Sequence, residues 1–202
     1  MTKKIYAIFG AAAPLVFLIT YLIMSNLRPE YSMFTKAFSE LGSLDAPNKW
    51  MWNIFGFIIP GFLVAIYSIG LFKSVYQNEG SKFPLFGLFL SGVFMSISGI
   101  FPADMNDRAS TTMILHIIGS FGSYIFFLIA AFTYPKLMRK SEYWKVSVRP
   151  TLIFTYATIL FGAWPFVFTS MPSLGQRLVM FFFFLWVLYT AVKLYKQPKH
   201  SQ

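Results

Sequence analysis

The sequence predicts an all-α, polytopic integral membrane protein: six transmembrane helices packed as one compact bundle, a single domain over residues 1–202. Three observations predict it. Of the 202 residues 56% are hydrophobic and 12% charged, with a mean hydropathy of +0.60, whereas soluble domains carry about 25% charged residues. Six apolar runs approach the roughly 20 residues that take a helix across a hydrocarbon core of about 30 Å. Lysine and arginine, finally, gather in alternate loops.

The first run, Ile5 to Ser25, follows Lys3 and Lys4. It exceeds the roughly 7–15 apolar residues of a signal-peptide core and lacks a small-residue cleavage site at its far end, so it is expected to be a retained span. The connection from Asn26 to Trp50 is the longest in the chain. Pro29 suits a helix start, Gly42 suits a helix end, and Tyr31, Phe34, Phe38 and Leu41 recur at spacings of 3, 4 and 3 between them. A short amphipathic helix in this first outer loop is therefore expected, lying on the interface or folded over the bundle. Glu40 would fall in its last turn, facing the negative end of the helix dipole, a mismatch of about 0.3–1 kcal/mol.

The remaining spans are expected at Met51 to Phe72, Phe83 to Phe101, Thr111 to Tyr134, Thr151 to Ser170 and Arg177 to Leu194. Pro60 and Trp164-Pro165 predict kinks, since proline removes an internal hydrogen bond. Small and polar residues mark faces turned inward. Thr151, Thr155, Thr158, Gly162, Pro165 and Thr169 form one stripe along the fifth span, Thr112, His116, Gly119, Ser120 and Ser123 another on the fourth, and Gly87, Ser91 and Ser98 a third. Such stripes let helices approach closely in lipid. Phe181 to Phe184, by contrast, covers every side of one turn, much of it facing lipid.

With six spans both termini share a side. That side holds twelve Lys and Arg, the other five. The positive-inside rule then makes both termini cytoplasmic in a plasma membrane. The acidic residues lean the other way, with Glu30, Glu40, Asp45, Asp104 and Asp107 outside. The formal charge of +10 is explained by these cytoplasmic loops. Nucleic acid is not an expected partner, because no basic helix stands free of the apolar spans; the lipid bilayer is. No cysteine is present, which excludes a disulfide framework, a thiolate nucleophile and thiolate metal ligands.

The connector Gly99 to His116 concentrates Asp104, Asp107, Arg108 and His116 on the outer side, where Glu40 and Arg177 also fall. His116, about one turn inside the fourth span, suits proton transfer or metal binding, or donation to a neighbouring carbonyl. His200 sits in a basic tail. Pro102 stops the third helix, and Asp107 and Ser110 are better placed than Asp104 to cap the fourth. Glu40, Asp104 and His116 offer two oxygens and a nitrogen to a divalent metal, and are the catalytic candidates if the protein is an enzyme. No paired-histidine spacing supports a metal, however. One embedded histidine argues against a haem. Ser39 with His116 and Asp104 has the ingredients of a serine hydrolase but no nucleophile elbow. Arg177, expected at a helix start where its charge opposes the dipole, should turn to Glu40, Asp104 or an anionic headgroup, and Arg28 likewise.

The series Arg28-Pro-Glu-Tyr-Ser32, Phe38-Ser-Glu-Leu-Gly-Ser43, Phe101-Pro-Ala-Asp104, His116 with Gly119, and Gly175-Gln-Arg177 resembles the bacterial and archaeal membrane family catalogued as domain of unknown function 998, over nearly the whole chain. The resemblance implies a compact six-span bundle in the plasma membrane and no established reaction. It implies Arg28, Ser39, Glu40, Asp104, His116 and Arg177 as the characteristic positions. The expected function is to bind or help move a small polar or lipid-like ligand in an outward-facing pocket with a charged rim and a floor of small residues. A membrane-embedded enzyme acting on a lipid or isoprenoid and a structural subunit are the alternatives.

Overall fold

A computed structural model describes residues 1–77 and 80–198; Glu79, Lys199 and His200 lie outside the described residues. Among the described residues there are six long apolar helices: α1 (Lys3–Asn26), α2 (Lys49–Val75), α3 (Phe83–Ile100), α4 (Thr111–Met138), α5 (Lys145–Val167) and α6 (Pro172–Lys196). Each contains the apolar run expected of it or most of it, and several extend further. α6 begins at Pro172, so Arg177 lies in its second turn rather than at its start.

Round the bundle the helices follow the order α4, α3, α2, α1, α6, α5, and the ring closes least tightly where α4 meets α5. α5 is also the least buried span. Small residues set the tight contacts. A Cβ on Gly92 would meet the Gly61 carbonyl oxygen at 2.4 Å, and one on Gly119 would meet the Ser98 nitrogen at 2.5 Å. The backbones of α2, α3 and α4 can approach this closely only because those side chains are absent.

At the end holding both termini, Trp186, Trp144 and Tyr143 find partners for their polar tips, whereas the buried hydroxyls of Tyr67 and Tyr134 have none among the described residues. Trp186 Nε1 donates to Thr151 Oγ1 at 3.1 Å, Trp144 Nε1 to Ser74 Oγ at 3.0 Å, and Tyr143 Oη to the Lys193 carbonyl at 2.7 Å. Thr151, Thr155 and Thr158 are fully buried, so the inner half of the α5 stripe packs. Ile8, Leu15 and Ile19 of α1, and Ile118, Phe121 and Ile125 of α4, remain exposed, as helices in lipid require.

The prolines act as breaks more than as simple bends. α2 contains a π-helical segment, Asn53–Ile58, two residues before Pro60; the wider turn takes up the bonding that Pro60 cannot supply. Ser96 Oγ donates to the Ile58 carbonyl there at 3.0 Å. In α5 the regular α-helix stops at Gly162 and one further turn, Trp164–Val167, carries Pro165 near its start.

The first loop departs from expectation. No amphipathic helix runs from Pro29 to Leu41; only Phe38–Gly42 is helical, as a 3-10 turn. Phe38 and Leu41 are buried, but Phe34 is 46% exposed. A helix this short is marginal on its own, and within 29–37 the Lys36 carbonyl accepts from Arg177 and the Phe34 carbonyl from the Ser173 N–H.

Candidate functional site

His116 is fixed by a gap in α3. The Ser98 carbonyl would ordinarily accept from the N–H four residues on, but that position is Pro102, which has none. His116 Nδ1 fills the vacancy, lying 2.8 Å from the Ser98 carbonyl oxygen and 2.9 Å from that of Phe101. Carbonyl oxygens only accept, so Nδ1 carries the hydrogen and Nε2 of the neutral ring carries the lone pair. Among the described residues Nε2 has no hydrogen-bond partner, although His116 is only 5% exposed.

The His116 side chain borders a cavity of about 260 Å³ inside the ring of helices. Phe57, Met95, Phe127, Met180 and Phe183 make most of the inner wall. Ser98, Ser120 and Ser123 supply small polar surface, and Ser39 and Gln176 border it at the loop end. Phe121 of α4 and Gly162 and Pro165 of α5 also line it. Phe121 is 65% exposed, so the lining on the α4 side also faces the outside of the bundle, next to the α4/α5 seam.

Above the cavity, Arg177 clasps the first loop to α6. Its Nε donates to Tyr21 Oη at 3.2 Å, Nη1 to the Ser173 carbonyl at 2.9 Å, and Nη2 to the Lys36 carbonyl at 2.9 Å and to Tyr31 Oη. The guanidinium also lies 4.8 Å from the Phe38 ring centroid. Tyrosines, carbonyls and a ring face thus take the place of the expected carboxylate. Burial pushes the Tyr31 hydroxyl above its ordinary range, keeping it a neutral partner. Gln176 adds a second tie, its Oε1 accepting from the Phe38 N–H at 3.0 Å.

Arg28 ion-pairs with Glu30 and reaches the Glu40 carbonyl at 3.4 Å; the pair lowers the Glu30 carboxyl. Glu40 stands in the first turn of the 3-10 helix, and its Oε1 accepts from the Ala37 N–H at 2.8 Å. The expected dipole mismatch is thereby reversed, for an acidic group near a helix N-terminus is stabilising. Asp104 accepts from the N–H groups of Asn106 at 3.1 Å and Asp107 at 3.0 Å, chiefly the Asp107 bond holding its carboxyl below the usual range. Ser110 Oγ caps α4 by accepting from the Met113 N–H at 3.2 Å. Ala103 joins this turn to the first loop, its carbonyl accepting from the Leu44 N–H at 2.9 Å.

The six residues singled out by sequence therefore divide. His116 and Ser39 border the cavity; Arg28, Glu40 and Arg177 brace the loop over it; Asp104 shapes the α3–α4 turn. Among the described residues no three His, Asp or Glu side chains are grouped to hold a metal ion. A family model described as a protein of unknown function (DUF998) matches residues 11–193. The chain belongs to the DUF998 family. No curated protein and no solved structure matches it.

The DUF998 cavity also uses residues that sequence reasoning missed as site residues. Tyr124 and Phe127 border it, yet sit in a stretch uniformly apolar enough for any face to be outward. Gln176 was visible only as part of the Gly175-Gln-Arg177 motif. The small-residue stripes were the usable signal, because Ser98, Ser120, Ser123 and Gly162 all point to this one space.

Proposed function

We propose that this chain binds an amphipathic, lipid-like molecule, its headgroup in the cavity beside His116 and its tail leaving through the α4/α5 seam. One observation carries the reading: His116 commits Nδ1 to two carbonyls and leaves Nε2 as an acceptor in a space walled mainly by aromatic and thioether side chains. Binding sites are typically apolar with a few oriented polar groups. At about 260 Å³ the cavity is slightly below the roughly 300–1,000 Å³ of drug-sized sites, enough for a headgroup and its first carbons. Arg28, Glu40 and Arg177 serve the site by fixing the loop that bears Phe38 and Ser39. The bias of Lys and Arg toward the termini supports a plasma-membrane orientation with both termini cytoplasmic and the cavity in the outer half.

The test is a lipid-resolved native mass spectrum of the purified full chain beside Ser120→Trp, whose indole would fill the cavity. The wild type is expected to retain a stoichiometric amphipath and the variant to lose it. Retention by both, or by neither, would count against the proposal. A second reading, an enzyme acting on the bound lipid, draws on the presence of the Ser39 hydroxyl and His116 Nε2 at one cavity. His116→Ala separates the two readings: binding kept with turnover abolished favours the enzyme, and loss of affinity alone favours binding.

A further inference from the structure

Resting on that binding site, we infer that its occupant carries an uncharged headgroup with a free hydroxyl, an alcohol-type lipid rather than a phosphorylated or carboxylated one. Among the described residues no Lys, Arg, Asp or Glu lines the cavity. The nearest charged groups of the loop are already engaged: Arg177 with four hydrogen bonds, Arg28 with Glu30 and the Glu40 carbonyl, Glu40 with the Ala37 amide. A phosphate monoester carries about −1.5 to −2 charges at neutral pH. Burying them without a cation costs several kcal/mol per ion, and even a doubly protonated His116 would answer only one.

The uncommitted polar atoms fit a hydroxyl instead. Among the described residues His116 Nε2 is an acceptor without a partner, and other residues lining the same cavity supply donors. Gln176 spends Oε1 on Phe38 and keeps its NH₂. The hydroxyls of Ser39 and Ser120 make no hydrogen bond among the described residues. An incoming hydroxyl can donate to Nε2 while its lone pairs accept from these groups. A quaternary ammonium could meet the aromatic walls but has no hydrogen to give Nε2. Sites built to hydrogen-bond a hydroxyl reject analogues lacking it far more strongly than apolar pockets reject a missing methylene.

The experiment is competitive binding to the full chain in mild detergent, read by native mass spectrometry. It uses three probe sets of matched tail: a polyprenol with its monophosphate, a diacylglycerol with its phosphatidic acid, and each alcohol with its methyl ether. The ether keeps the acceptor oxygen and loses only the donated hydrogen. At least one alcohol is expected to bind 1:1, at least tenfold tighter than both its phosphate and its ether. His116→Gln, whose side-chain NH₂ can still donate to the Ser98 and Phe101 carbonyls, should bind alcohol and ether alike. The two alcohols distinguish an isoprenoid source from a glyceride one. A phosphate or ether that binds as well as its alcohol, and is displaced by Ser120→Trp, would overturn the headgroup inference while leaving the binding site standing. Failure of every probe to bind would overturn both.

Discussion

His116 is held where it is by a proline four residues beyond the carbonyl it serves, and this makes its energetic role separable from its chemical one. Removing the ring in His116→Ala leaves the Ser98 and Phe101 carbonyls without that donor, which is expected to cost about 1–3 kcal/mol, read as a lowered thermal midpoint in detergent. Pro102→Ala supplies an N–H four residues beyond Ser98; if α3 lengthens past Ile100 to use it, the cost of His116→Ala should shrink in that background, and a double-mutant cycle measures the difference. Asp104 gives a pH signature. Its folded-state pKa is depressed by backbone N–H groups, so its contribution is present above its unfolded value of about 3.9 and is lost as pH falls through the lower folded value. Protection of the Asn106 and Asp107 amides relative to their intrinsic exchange rate should hold at pH 5 and fall only below the ordinary carboxylate range, and Asp104→Asn should remove that dependence. At this scale sequence identified the residues but not their partners. The Arg28–Glu30 pair is local and could be anticipated, whereas Arg177 meets Tyr21, Tyr31 and Lys36 from more than 140 positions away, a relation no spacing encodes.

Helices and loops were legible in proportion to how much their own periodicity decides them. Apolar length alone marks α1 to α6, because lipid leaves the backbone no alternative to internal hydrogen bonds. The first loop misleads for the opposite reason. Its helical spacing is real, yet Tyr31 and Phe38 are drawn into the Arg177 clasp and Phe34 is left exposed. Arg177→Lys, lacking the planar fork, should release this segment: limited proteolysis within residues 27–37 is expected to accelerate while the spans stay protected. Between helices the decisive contact is glycine on backbone. Gly119→Val places a Cβ against the Ser98 nitrogen, and is expected to destabilise by about 1–3 kcal/mol and to loosen His116 from the same residue. Thermal unfolding reads the first effect, and weaker retention of the proposed amphipath reads the second.

For the molecule as a whole, fold class was legible from composition and the cavity was not. The stripes on α3, α4 and α5 each mark an inward face, but which faces become neighbours depends on the order of helices round the ring, and sequence does not carry that order. Orientation rests on the Lys and Arg count and can be tested without background labelling, since the chain has no cysteine. In intact cells an impermeant thiol reagent is expected to label Thr35→Cys and to spare Ser81→Cys; the reverse pattern would invert the protein.

The exposed Phe121 lies ten residues into α4, about 15 Å at 1.5 Å per residue, roughly halfway through a core of about 30 Å. A ligand that enters there, as proposed above, comes from the membrane and not from water. Occupancy would then follow the mole fraction of ligand in the bilayer, a two-dimensional concentration. Diluting proteoliposomes tenfold at constant composition should leave the bound fraction unchanged, while adding empty lipid to the same vesicles should drain it.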